Sequence, residues 1–301
     1  MALFVSKASM RGRIASNLVF ARTFATQHRL TLSYDLHEPS KRSTGLTADP
    51  IIFLHGLFGS KKNNRSISKV LARDLGRPVY ALDLRNHGES PHDRQHDYLH
   101  MADDVAGFID QHGLEQPTII GHSMGAKAAM TLALKSPELV RDIVAVDNAP
   151  VDAILESAFG KYIHGLKKIE AAKVTRQAEA DHILKDYESS LPIRQFLLGN
   201  LHRPVSGEPQ QKFRVPLDII SRSLNNMGDF PYKNPGEVRF EKPALFVRGT
   251  KSKYVPDDVL PIIGQFFPKF QLADINAGHW VISEDPEAFR RAVVEFLQAH
   301  E

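Results

Sequence analysis

Six short apolar runs, Pro50 to His55, Pro78 to Asp83, Thr118 to Gly121, Ile143 to Asp147, Pro243 to Gly249 and Phe270 to Ile275, alternate along the chain with segments of helical period. No other feature restricts the fold as much. Strands separated by helices return to one sheet in parallel, and a sheet built that way is covered on both faces. The intervening segments carry the stripes this requires. Ile67, Val70 and Leu71 form one, Met101, Val105, Phe108 and Ile109 another, and Phe289, Val293, Phe296 and Leu297 the last. The expectation is an α/β protein with a mostly parallel sheet and helices on both faces.

The rhythm breaks between about residues 151 and 235, where helical, charged sequence carries isolated apolar anchors: Phe159, Leu166, Phe196, Leu197, Met227 and Phe230. This reads as an inserted helical cap, with the anchors forming its own core, so none is given a binding role. The remainder, residues 31–301 with the cap included, is large enough for one domain.

The formal charge of +3 is unevenly placed. Lys7, Arg11, Arg13, Arg22 and Arg29 all precede the first acid, Asp35, and removing those five charges leaves −2 for the rest. The basicity therefore belongs to a leader, and nothing points to nucleic acid. Arg-rich, Ser-containing and free of acids, residues 1–30 read as a mitochondrial presequence, with cleavage expected after Phe24 and the matrix as destination. The chain has no cysteine, which excludes disulfides, a catalytic thiol and cysteine-based metal sites. Its most apolar stretch, Thr118 to Leu134, contains His122, Ser123 and Lys127 and is too short and polar to cross a bilayer.

Gly121-His122-Ser123-Met124-Gly125 is a G-x-S-x-G sequence lying directly after an apolar strand and directly before a helical segment. That context is what the motif needs, since a strand turning abruptly into a helix holds its apex serine clear of the sheet, beside a helix N-terminus. Ser123 is the candidate nucleophile. A serine hydroxyl requires a base from elsewhere in the fold. Of 14 histidines, His279 follows the last strand-like run, so its loop opens at the same carboxyl edge of the sheet as Ser123. His55, His87 and His122 lie in other loops on that edge and read as structural.

The base needs an acid to orient it. A Gly-x-x-Asp pattern after the run Ala244 to Arg248 would place it at residue 252, but that residue is Ser252. Asp147 ends the preceding strand-like run and is the candidate acid, with Asp257 or Asp258 as fallback. The backbone N–H groups of Leu57, in the turn His55-Gly-Leu-Phe-Gly-Ser60, and of Met124 are the candidate oxyanion donors. His92, His96 and His100 repeat every fourth residue, but without a further partner they read as surface polar residues, not as metal ligands.

These motifs, together with Asp83-Leu-Arg85-Asn86-His87-Gly88-Glu-Ser90-Pro91-His92, Asp147-Asn-Ala-Pro-Val151 and Ala277-Gly-His-Trp280, make the chain resemble a subfamily of the α/β-hydrolase superfamily. It comprises mitochondrial abhydrolase-domain proteins, small bacterial esterases and fungal ethanol acetyltransferases, and the similarity runs from about Pro50 to Leu297. The resemblance implies an eight-stranded sheet, no cofactor and an acid after the sixth strand, in agreement with Asp147. Asn148 stands where many members have isoleucine and Ile282 where many have histidine; neither is expected to touch the triad. The expected function is a serine hydrolase that cleaves small-molecule carboxylic esters or thioesters through an acyl-enzyme on Ser123. The alternatives are an acetyl-CoA-dependent alcohol acetyltransferase with side hydrolysis and a non-catalytic matrix binding protein.

Overall fold

Each of the six apolar runs forms a strand, and the central ones are buried along their whole length, as continuous apolar sequence requires of strands covered on both faces. The computed structural model describes residues 29–40, 49–152, 157–204 and 207–300, so the expected leader lies outside them apart from residues 29 and 30. The strands are β1 (Tyr34–His37), β2 (Ile51–Leu54), β3 (Val79–Leu82), β4 (Thr118–His122), β5 (Ile143–Val146), β6 (Ala244–Gly249) and β7 (Phe270–Ile275). They lie in the order β1-β3-β2-β4-β5-β6-β7, with β1 antiparallel and every other pairing parallel.

Seven strands, not the eight expected, are joined in this sheet among the described residues. β1 pairs with β3 on one side only, and no further described strand meets its outer edge. β1 itself was absent from the sequence reading. Its four residues alternate between exposed and more buried positions, and its place is fixed by a partner more than forty residues away, Tyr34 opposite Leu82.

The helices are α1 (Arg65–Leu75), α2 (Tyr98–Gln111), α3 (Met124–Lys135), α4 (Ser157–Ala171), α5 (Gln177–Leu184), α6 (Leu191–Leu198), α7 (Leu217–Arg222), α8 (Leu224–Gly228), α9 (Leu260–Phe266), α10 (Val281–Glu284) and α11 (Pro286–Ala299). The period-two alternation of the strands divides the core. Ile51 and Phe53 face the layer of α1 and α11, packing with Leu71, Phe289 and Val293, whereas Ile52 and Leu54 face the layer of α2 and α3. Local chemistry marks the helix starts: the Asp97 carboxylate accepts from His100 N–H to open α2, and Asp285 followed by Pro286 opens α11.

Helices α4 to α8 interrupt the alternation between β5 and β6, joined by a two-residue antiparallel pairing of Leu201–His202 with Lys212–Phe213. The end of this insertion is fastened to the main domain by polar bonds. Tyr98 Oη donates to Met227 O at 2.8 Å, and Lys127 Nζ donates to Gly228 O and Asp229 O, each at 2.9 Å. Lys127 is buried, and burial pushes its pKa down to about 8.

Candidate active site

The site begins with sterics at the β4–α3 turn. A Cβ on Gly121 would lie 2.1 Å from Gly125 O, and one on Gly125 would lie 2.5 Å from Leu54 O, so any side chain at either position would collide with backbone. The turn between them forces Ser123 to φ 55° and ψ −113°, a conformation that an L-residue holds only where its surroundings over-determine it. Here they do. Ser123 N–H donates to Val146 O at 2.9 Å, and Ser123 O accepts from Ala126 and Lys127 N–H as α3 begins.

Register places the acid. His122 is opposite Val146 and Val146 opposite Val247, so the residues after β4 and β5, Ser123 and Asp147, leave the sheet at one edge. Asp147 is fully buried at φ 51°, and its carboxylate is held by three donors. Gly249 N–H donates to Oδ1 at 3.1 Å, Ser252 Oγ to Oδ2 at 2.5 Å and His279 Nδ1 to Oδ2 at 2.7 Å. With its proton on Nδ1, His279 can accept at Nε2 from Ser123 Oγ, 3.0 Å away. The Tyr254 ring stacks on the His279 imidazole at 4.1 Å.

The three candidates chosen from the sequence thus stand in one hydrogen-bonded line. The fallback acids do not join it: Asp257 pairs with Arg248 at 2.5 Å on the surface, and the described contacts of Asp258 include none with His279. Two contacts were missed. Ser252, read only as a vacated acid position, gives its hydroxyl to Asp147. Asn148, expected not to touch the triad, donates from Nδ2 to Ser123 O at 3.1 Å while its Oδ1 accepts from Ala149 N–H. An isoleucine could make neither bond. Ile282 lines a neighbouring groove.

The structural histidines build the loop facing Ser123. His55 Nε2 accepts from Leu84 N–H at 3.0 Å and His87 Nε2 accepts from Phe58 N–H at 3.2 Å, so the turn after β2 and the loop after β3 hold each other. Burial lowers the pKa of both rings, which keeps them neutral acceptors. Phe58 N–H and Gly59 N–H are both taken up, whereas Leu57 N–H and Met124 N–H have no acceptor among the described residues. His122 donates from Nε2 to His279 O at 2.8 Å, and burial, with His279 nearby, pushes it down to about 4.

His92, His96 and His100 separate: the first meets Arg214 O, the second Asn86 Nδ2 and the third Asp97. Of the cap anchors, Leu166 and Phe230 are buried in the core as expected, and Leu197 and Met227, also buried, line cavities at the site as well. Phe159 and Phe196 are not confined to the cap's core, because both line a cavity of about 220 Å³ with Tyr254, His279 and Trp280. A much smaller cavity of about 20 Å³ touches Ser123, Leu57 and Met124. A groove of about 970 Å³ lies beyond Phe196 and Trp280.

A family model described as "alpha/beta hydrolase fold" matches residues 49–286. A probable alcohol acetyltransferase of Saccharomyces cerevisiae is 38% identical over 330 residues, covering 99% of this chain and 95% of its own. An sn-1-specific diacylglycerol lipase ABHD11 of Xenopus laevis is 38% identical over 274 residues, covering 89% and 84%. Among solved structures, a marine microorganism esterase superposes with a TM-score of 0.80 at 33% identity, covering 89% of this chain and 99% of that one.

Proposed function

We propose, from the premise that this chain belongs to the α/β-hydrolase-fold family, that it is a serine hydrolase of small carboxylic esters or thioesters, with Ser123 as nucleophile, His279 as general base and Asp147 as the acid. The observation that carries the reading is the unbroken line of hydrogen bonds from Ser123 Oγ through His279 to Asp147. Ser123 Oγ attacks the acyl carbon as its proton passes to His279 Nε2. Asp147 holds the tautomer that can accept that proton and stabilises the imidazolium. The free amides of Leu57 and Met124 are the donors for the resulting oxyanion. The attached proton then leaves with the alcohol or thiol, and an acceptor discharges the acyl-enzyme.

A fluorophosphonate should label the wild-type protein at Ser123, and Ser123→Ala should lose both label and p-nitrophenyl acetate turnover while unfolding at the same urea concentration. Labelling of the mutant at wild-type rate would remove Ser123 from the role. The Saccharomyces cerevisiae relative favours a second reading, in which an alcohol replaces water as acceptor. Incubation with acetyl-CoA and ethanol separates the two, since ethyl acetate forms only under the second.

The basic, acid-free composition of residues 1–30 supports a mitochondrial presequence and a matrix location. A fluorescent reporter fused to residues 1–35 should enter mitochondria; uniform cytosolic fluorescence would reject the assignment.

A further inference from the structure

An acyl transfer divides the space around its nucleophile in two, and the base decides which part is which. The acyl group stays on Ser123 Oγ, whereas the leaving oxygen must receive the proton held on His279 Nε2. The cavity of about 220 Å³ lined by His279 is therefore the leaving-group side. The cavity of about 20 Å³ touches Ser123, Leu57 and Met124 but not His279, and is the acyl side. It shares Phe159 and Tyr254 with the larger cavity and is otherwise lined by Tyr98, Lys127 and Met227, all buried and tied together where Tyr98 Oη and Lys127 Nζ hold the end of the cap insertion. A space of this size holds about one group as large as a water molecule or a methyl.

The leaving-group side continues into a larger space. Ile193, Phe196 and Trp280 line both the cavity at His279 and the groove of about 970 Å³ beyond it, with Phe196 and Trp280 in edge-to-face contact at 4.6 Å. Ile67, Val70 and Ile282 continue the apolar wall. The groove's charged residues are occupied. Arg290 pairs with Glu287 and Asp74, and Glu284 accepts from Gly278 N–H, while Lys251 and Lys253 line the smaller cavity at His279.

We propose that the ester substrates of this site join a short acyl group, of acetyl size, to a large apolar alcohol, with Met227 limiting the first and Ile193 and Ile282 receiving the second. This rests on Ser123 acting as the nucleophile. Chemically, the Ser123 Oγ–acyl bond forms as the acyl–oxygen bond of the ester breaks. The serine proton leaves on the apolar alcohol through His279, and water then regenerates the hydroxyl and releases the short acid.

Two substrate series on the purified full chain test the division. Between ethyl and decyl acetate kcat/KM should rise roughly tenfold or more, and between p-nitrophenyl acetate and p-nitrophenyl octanoate it should fall by a similar factor. Ile282→Asn or Ile193→Asn should bring the decyl-to-ethyl ratio towards one, and Met227→Ala should raise the octanoate-to-acetate ratio. A flat alkyl series, a preference for octanoate, or ratios unmoved by the substitutions would each overturn the assignment. The wild-type series stands even if a variant fails to fold. Fluorophosphonate labelling keeps the two claims apart: a labelled Ser123 with the wrong ratios defeats the substrate assignment alone, whereas an unlabelled one defeats the nucleophile.

Discussion

Ser123 and Asp147 both sit at positive φ, at 55° and 51°, each at the end of a buried parallel strand. Neither would adopt that conformation freely, and both are held there by backbone bonds to the neighbouring strand, Ser123 N–H to Val146 O and Asp147 N–H to Val247 O. Rigidity of this kind suits the roles proposed for them, because an acid that fixes a tautomer must not rotate away. Asp147→Asn should therefore lower kcat roughly 10⁴-fold with little change in folding. Asp257→Asn, which breaks only an exposed pair with Arg248, should stay within about tenfold of wild type, and Asp258→Asn likewise. Steady-state kinetics with p-nitrophenyl acetate decide it, and a fast Asp147→Asn enzyme would defeat the assignment of the acid.

Among the elements, the junction of α3 with the cap insertion depends on Lys127. Its ammonium is buried and spans from α3 to two carbonyls at the end of α8, those of Gly228 and Asp229, while its distance from the Tyr98 ring, 5.6 Å, suits a cation–π contact. Removing the charge takes this donor from both carbonyls, of half-buried Gly228 and exposed Asp229. Lys127→Met should then cost about 2–4 kcal/mol, from the loss of hydrogen bonds to a charged group offset in part by added apolar burial. Urea unfolding measures this, and limited proteolysis should cut first near residues 226–233. An unchanged midpoint would mean that the clamp contributes nothing.

Across the whole molecule, buried neutral histidines tie stability to pH. His55, His87, His96 and His122 all have pKa values lowered from 6.5 by burial, His96 to about 3 and His122 to about 4. The unfolded chain takes up protons as pH falls through 6.5, and the folded chain resists until the lowered values are reached, so stability is lost on acidification. Each such histidine contributes about 1.4 kcal/mol per pH unit once the unfolded chain is protonated. Urea midpoints should fall between pH 6.5 and pH 5, and less steeply in His122→Asn. Constant midpoints over that range would show that the rings are protonated in the fold or that other groups compensate.

The sequence alone marked the sheet's central strands and offered Ser123, His279 and Asp147, with Asp257 or Asp258 as fallback acids, as candidates, because those signals are local. A continuous apolar run marks a doubly covered strand, a glycine on each side of a serine marks a turn without room for side chains, and a polar residue at a strand's end marks the carboxyl edge. Only the tertiary structure decided the rest. β1 depends on pairing with β3, the Ser252 hydroxyl reaches Asp147 across 105 residues, and the Asn148 amide finds Ser123 O across 25. Hydrogen bonds between residues far apart in the chain leave no periodicity to read, and the small cavity at Ser123 and the larger one at His279 are spaces between elements that no single segment encodes.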